Sequence, residues 1–373
     1  MNLRYPAAAF ESDIAAIHGF ADLLRGGFEN LEDIRGSVAL MIPEYPDHGF
    51  VARFGDVLHI ERPVAAERTD TQVTIPVATI RRIFAEFDQL DWRDPEIIGT
   101  ITFTGNLGLA NHLAKSCVRP DDWTAARFRR AGRQHAGRGY RNLTAVEYLH
   151  RPSQHQVLEV MEESLPVVIT GLEPTPPCRD WTLDRLADRF ADAVVRVRSA
   201  TQRQTMADFV RELAAFQAAP YDDMIEGFVK PYTEGAALPE AMWPDFGPLF
   251  FDREDFIPPQ LWLGAVPTHS PTSSLHRDPL NGFLMQVIGR KRLDLYSADQ
   301  AELLYPLKAY NLYQPCWFKP EAPDFIRYPK AQEARCFSVT LNPGELLIQP
   351  AGWFHQVYAL DSPNMSVSYF WRY

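Results

Sequence analysis

The stretch Ser273–Tyr296, S-S-L-H-R-D-P-L-N-G-F-L-M-Q-V-I-G-R-K-R-L-D-L-Y, constrains this chain more than any other. It sets His276 and Asp278 two residues apart, and on an extended strand such residues leave from one face while Arg277 leaves from the other. An imidazole and a carboxylate held side by side are two of the three groups in the 2-His-1-carboxylate triad, which binds non-haem Fe(II) and leaves coordination positions open. A fold that uses this pair must be built on strands. It must also deliver a third donor from elsewhere in the chain.

Downstream, Pro343-Gly344 and Pro350-Ala351-Gly352 punctuate two further short strands, Gly344–Gln349 and Trp353–Leu360. In the second, His355, Val357 and Ala359 share a face, so His355 points inward with apolar neighbours. A lone inward histidine is more often a satisfied core residue than a ligand. Here His276 and Asp278 already lack a partner, which shifts that balance. Lys291 sharpens the pattern, because it shares a strand face with Leu293 and Leu295 while Arg292, Asp294 and Tyr296 share the other. An ammonium aligned with leucines is costly unless it reaches water at the strand end or meets an anion inside.

The rest of the chain sets the frame. Apolar residues at near-helical spacing predict a helix over 10–25, followed by strands near 37–42, 49–54, 56–62 and 72–75, a helix to about 87, a strand over 100–104 and a helix over 106–117. Residues 1–120 therefore read as a small α+β domain. Residues 121–143 hold six arginines among Gly and Ala and read as a basic linker. Residues 144–373 alternate helices and strands at first and become almost entirely β from Gln260 onward. At 373 residues, two domains are expected.

A net charge of -11 argues against a general nucleic-acid binder, which needs a basic face. Four cysteines without a C-x-x-C pair, no secretory leader and no apolar run long enough for a membrane span point to a cytoplasmic protein with reduced thiols.

The stretches T-S-S-L-H-R-D-P-L-N-G-F-L-M-Q-V-I-G-R-K-R-L-D-L-Y and P-G-E-L-L-I-Q-P-A-G-W-F-H-Q-V-Y resemble the JmjC-type, cupin-like 2-oxoglutarate oxygenases. The resemblance implies a double-stranded β-helix (a jelly roll) with flanking helices, in which His276, Asp278 and His355 hold Fe(II). It implies that Lys291, fifteen residues after His276, grips the far carboxylate of 2-oxoglutarate, helped by Ser273, and that O2 is the co-reactant. Trp262 matches an aromatic position just before the metal strand. Many members carry Asn six residues after the first His; this chain has Gly282 there and Asn281 one earlier. Where many have V-N-F-W near the end, it has Val367-Ser368-Tyr369-Phe370, which makes Ser368 a substitute contact. A cosubstrate-binding Tyr would be Phe228 or, close by, Tyr232.

Asp94–Ala114 is similar to sterol-carrier-protein-like domains, which implies an apolar ligand beneath the last helix of residues 1–120. A docking or dimerisation domain with a filled core suits the same residues, and a homodimer is compatible with them. The implied reaction is hydroxylation of a C–H in a peptide or protein side chain or a small molecule, with release of succinate and CO2; histone demethylation has the weakest support. A metal-binding cupin of another type, a degenerate oxygenase kept as a binding module, and an apolar-ligand carrier acting through the N-terminal domain remain as alternatives. The aromatic segments Phe228–Phe256 and Trp317–Tyr328 are expected to rim the pocket.

Overall fold

The computed structural model describes residues 10–62, 68–86, 89–92, 94–197, 202–217, 231–246, 250–268 and 270–372. The chain divides into two units, Met1–Ala126 with Pro306–Trp317, and Arg127–Tyr305 with Phe318–Tyr373. No helix among the described residues is long and apolar enough to cross a membrane.

In the first unit, turn residues break the chain into short strands that order as Leu58–Glu61, Phe50–Phe54, Gly36–Met41, Thr71–Thr74 and Thr102–Gly105. Gly36–Met41 and Thr71–Thr74 run parallel, with Val38 opposite Thr71. The Asp70 carboxylate fixes that register by accepting from the Ser37 backbone N–H and hydroxyl, both at 2.8 Å. Helices Asp13–Gly27, Val77–Ala85 and Leu107–Lys115 lay their apolar stripes on the sheet. Leu109 and Leu113 of the last helix join Ile17, Phe20, Leu24 and Ile80 in one cluster, so the chain's own side chains fill the space beneath it.

The second unit is the α+β jelly roll of a cupin-like fold. Its larger sheet orders as Ala236–Ala237, Gln260–Gly264, Asn364–Trp371, Asn281–Ile288, Leu346–Gln349, Val167–Thr170 and Glu147–His150. A second sheet carries Pro271–Arg277, Phe354–Ala359, Lys291–Tyr296 and Phe337–Leu341 in that order. Successive side chains of these strands leave from opposite sides, which gives each sheet two faces. Leu293, Leu295, Val339 and Val357 of the second sheet meet Val168 and Leu347 of the first, forming the barrel interior. The other face of the larger sheet, with Phe283, Met285, Leu346 and Val367, is covered by apolar residues of helices Gln154–Glu163, Leu183–Arg189 and Met206–Gln217.

The stretch read as a basic linker contains the helix Asp122–Arg138. Phe128, Ala131 and His135 on one side are buried, and Arg129, Arg130 and Arg133 on the other are exposed. Within the second unit, His135 bonds the Ser164 hydroxyl and the Ala298 backbone N–H, and burial pulls its pKa down to about 4. The helix is thus a packed wall of the barrel rather than a solvated tether.

Candidate metal centre and anion pocket

Strand pairing brings the donors together. Pro271–Arg277 runs antiparallel to Phe354–Ala359 with His276 opposite His355 and Ser273 opposite Val357. Three steps on one strand match two on the other, so a bulge lies between Ser273 and His276. In a regular strand residues three apart face opposite ways; the extra residue turns Ser273 onto the face of His276. The next strand sets Lys291 opposite Ala359, Leu293 opposite Val357 and Leu295 opposite His355. Ser273, His276, His355 and Lys291 therefore all look into the barrel.

Asp278 follows the strand end and completes a compact donor set. Ligand atoms of His276, Asp278 and His355 all lie within 4.8 Å of one another. The two imidazole centroids are 4.1 Å apart, and His355 Nε2 is 3.6 Å from an Asp278 oxygen. Burial pushes the Asp278 carboxyl above its usual range, with His276 pulling the other way. Burial, and then the neighbouring His276, holds His355 neutral and far below its usual pKa. Two imidazoles and a desolvated carboxylate crowded together are what a bound cation stabilises.

The surrounding residues fix the rings. His276 Nδ1 is 2.7 Å from the Ser274 carbonyl, a bond that holds the proton on Nδ1 and leaves Nε2 as the donor. The Gln349 amide sits 2.6 Å from His355 Nδ1. The Pro350–Gly352 turn is tied to the Asp278 loop: Gly352 N–H donates to the Asp278 carbonyl and Ala351 N–H to Asn281 Oδ1, both at 2.9 Å. Gly352 has φ +87°, and a Cβ there would come within 2.6 Å of Ala131, so this turn requires glycine.

Across the barrel, Lys291 is 2% exposed, and its ammonium donates to Ser366 Oγ at 2.5 Å. No carboxylate of the described residues pairs with it, and burial pulls its pKa down to about 7. Trp262 stands opposite Ser366 in the larger sheet and donates from Nε1 to Ser368 Oγ at 2.9 Å. Tyr232 is buried against Trp262 and Ala359, and its hydroxyl has no hydrogen-bond partner. Gln286, opposite Ser366, likewise keeps a buried amide oxygen unpartnered. An ammonium with orphaned polar atoms around it fits a small anion at this end of the barrel.

Of the residues singled out from the sequence, His276, Asp278, His355, Lys291, Ser273, Trp262, Ser368 and Tyr232 converge here. Asn281 does not. It stands on the opposite strand face from Gly282 and Leu284, and its carbonyl oxygen is used by Ala351, so it positions the His355 turn instead. Phe228 lies outside the described residues. The expected aromatic rim is also displaced: Phe251 and Phe256 pack on the far face of the larger sheet, and Glu321 of the 317–328 segment bonds Gln356 on the outer face of the second. The larger sheet needs apolar cover on its outer face, and Phe251 and Phe256 help provide it. Ser366, Gln349 and Gln286 were missed; strand alternation around Ser368 and Leu347 was the signal that would have found them.

The cupin-like domain family matches residues 152–373. Among curated proteins, the chain is similar to lysine-specific demethylase 8 of Xenopus tropicalis, 29% identical over 239 residues that cover 61% of this chain and 53% of that protein. It is 26% identical to tRNA wybutosine-synthesizing protein 5 of Danio rerio over 58% of this chain and 71% of that one. HSPB1-associated protein 1 of Rattus norvegicus is 34% identical over 35% of this chain and 26% of its own. The chain spans about half the length of the demethylase it matches.

The geometry predicts a single divalent-cation site. Calorimetric titration with Co(II) should show saturable binding that His276→Ala abolishes. Gln349→Ala, which frees the His355 ring, should weaken it about 10- to 100-fold, the usual effect of losing an outer contact to a metal-bound His. Unchanged affinity in His276→Ala would contradict the centre.

Proposed function

We propose that this chain, which belongs to the cupin-like domain family, is an Fe(II)- and 2-oxoglutarate-dependent oxygenase that hydroxylates a C–H bond of a peptide or protein side chain. The observation that carries the reading is Lys291, a buried ammonium with no carboxylate partner among the described residues, on the same interior face as His276 and His355. A metal-binding cupin of another kind has no need for that residue. Bound Fe(II), with 2-oxoglutarate and O2, supplies the oxidising power for hydroxylation and releases succinate and CO2.

The chain's own residues do the rest. His276 and His355 would hold the metal through their imidazoles, the first oriented by the Ser274 carbonyl and the second kept neutral by burial. Asp278 would bring one negative charge, which a cation stabilises in a site that otherwise disfavours it. Lys291, oriented by Ser366, would pair with the far carboxylate of the cosubstrate. Ser273, Tyr232 and the Trp262–Ser368 pair would supply hydrogen bonds and shape around it. Leu284, Leu293 and Val357 line the interior and exclude water from the reacting atoms.

The relatives' names include a lysine demethylase and a tRNA-modifying protein. An acidic chain with a filled N-terminal core supports a protein substrate docked by residues 1–120, with a small molecule as the second choice.

Two outcomes are expected. Purified protein with Fe(II), 2-oxoglutarate and O2 should form succinate without added substrate; His276→Ala should abolish this, and Lys291→Ala should raise the KM for 2-oxoglutarate at least about tenfold, the size of a lost charge-assisted bond. Succinate formation at the wild-type rate in His276→Ala would sink the proposal. The second concerns pH. The free ammonium has a pKa near 7, and a carboxylate against it favours the charged form and raises that value. Cosubstrate binding should therefore take up a proton above about pH 7, and affinity should fall as pH rises, by up to about tenfold per unit. Calorimetry in buffers of different ionisation enthalpy reads the proton directly; no uptake at about pH 8 would contradict the role of Lys291.

A further inference from the structure

The larger sheet carries a second cavity, of about 500 Å3, on the face that looks away from the metal centre. Trp243, Phe246, Phe256 and Tyr369 form its walls, with Arg253 and Arg372 among the other lining residues. Tyr369 stands opposite Phe283, whose neighbours on that face are Met285 and Val287 of the outer core. Lys291 and Ser366 belong to the other face. The sheet itself therefore separates this cavity from the chemistry described above.

Two observations point to a ligand here. The Arg253 guanidinium lies 3.4 Å from the centre of the Trp243 ring, and Arg372 bonds only a backbone carbonyl, that of Phe256 at 3.1 Å. Neither has a carboxylate partner among the described residues, and Glu254 is the single acid lining the space. The volume suits a drug-sized molecule, for which such sites span roughly 300–1,000 Å3.

We propose that this cavity binds a planar aromatic small molecule bearing a carboxylate or similar anionic group. Its ring would lie against the aromatic walls and its anion between Arg253 and Arg372. Those walls set the ring preference, and two guanidiniums without a carboxylate partner among the described residues set the charge.

Calorimetric titration of the full chain with hydroxynaphthoate, against naphthol as the uncharged comparison, tests this. Wild-type protein should bind hydroxynaphthoate saturably, one molecule per chain. Arg253→Gln, at an exposed position that does not endanger folding, and the use of naphthol should each weaken binding about tenfold. Lys291→Ala should leave it unchanged, since a carboxylate captured by the metal-site ammonium would be lost in that variant. Absence of saturable binding to wild-type protein, or binding lost in Lys291→Ala and kept in Arg253→Gln, would overturn the proposal.

Discussion

The candidate site rests on one cross-strand pair. His276 opposite His355 puts two imidazoles 4.1 Å apart, and the antiparallel ladder around them leaves no other register that keeps Leu293, Leu295 and Val357 inside. From that pair follow the orientation of Asp278, tied to Gly352 through its carbonyl, and the placement of Lys291 one strand away. The arrangement works against the fold's own stability. Asp278, Lys291 and His355 are buried inside the barrel, and burial pushes each towards its neutral form. Groups held at such a cost need partners, and the partners they suit are a cation at one end and an anion at the other.

The two faces of the larger sheet divide the second unit's work. The inner face carries Trp262, Ser366, Ser368 and Gln349, polar residues aimed at the metal and anion sites. The outer face carries Phe283, Met285 and Tyr369, and the aromatic residues that cover it also enclose the second cavity. A period of two in the strand sequence is enough to keep these chemistries apart, since neighbours in sequence stand on opposite sides.

Much of this was legible in the sequence. The faces of Lys291, Leu293 and Leu295, and of His355, Val357 and Ala359, follow from alternation alone, and the structure keeps them. The helices of the first unit were visible for the same kind of reason, since Ile80, Ile83 and Phe84 mark one face. What alternation does not show is a bulge: Ser273 reaches the inner face only because the ladder slips by one residue before His276. Partners of the site were hidden too: Ser366 meets Lys291 from a strand 75 residues on, and Gln349 meets His355 across the Pro350–Gly352 turn, from a strand of the other sheet. The arginine-rich stretch misled for a different reason. Its polar residues line one side of a helix, and the three small or aromatic residues that dock it, Phe128, Ala131 and His135, are diluted among them.

The most direct test is anomalous diffraction from crystals grown with Mn(II) and 2-oxoglutarate. A single manganese peak bounded by His276, Asp278 and His355, with the cosubstrate's far carboxylate on the Lys291 ammonium, is the predicted result. Manganese held elsewhere, or a cosubstrate that leaves Lys291 bonded only to Ser366, would contradict it.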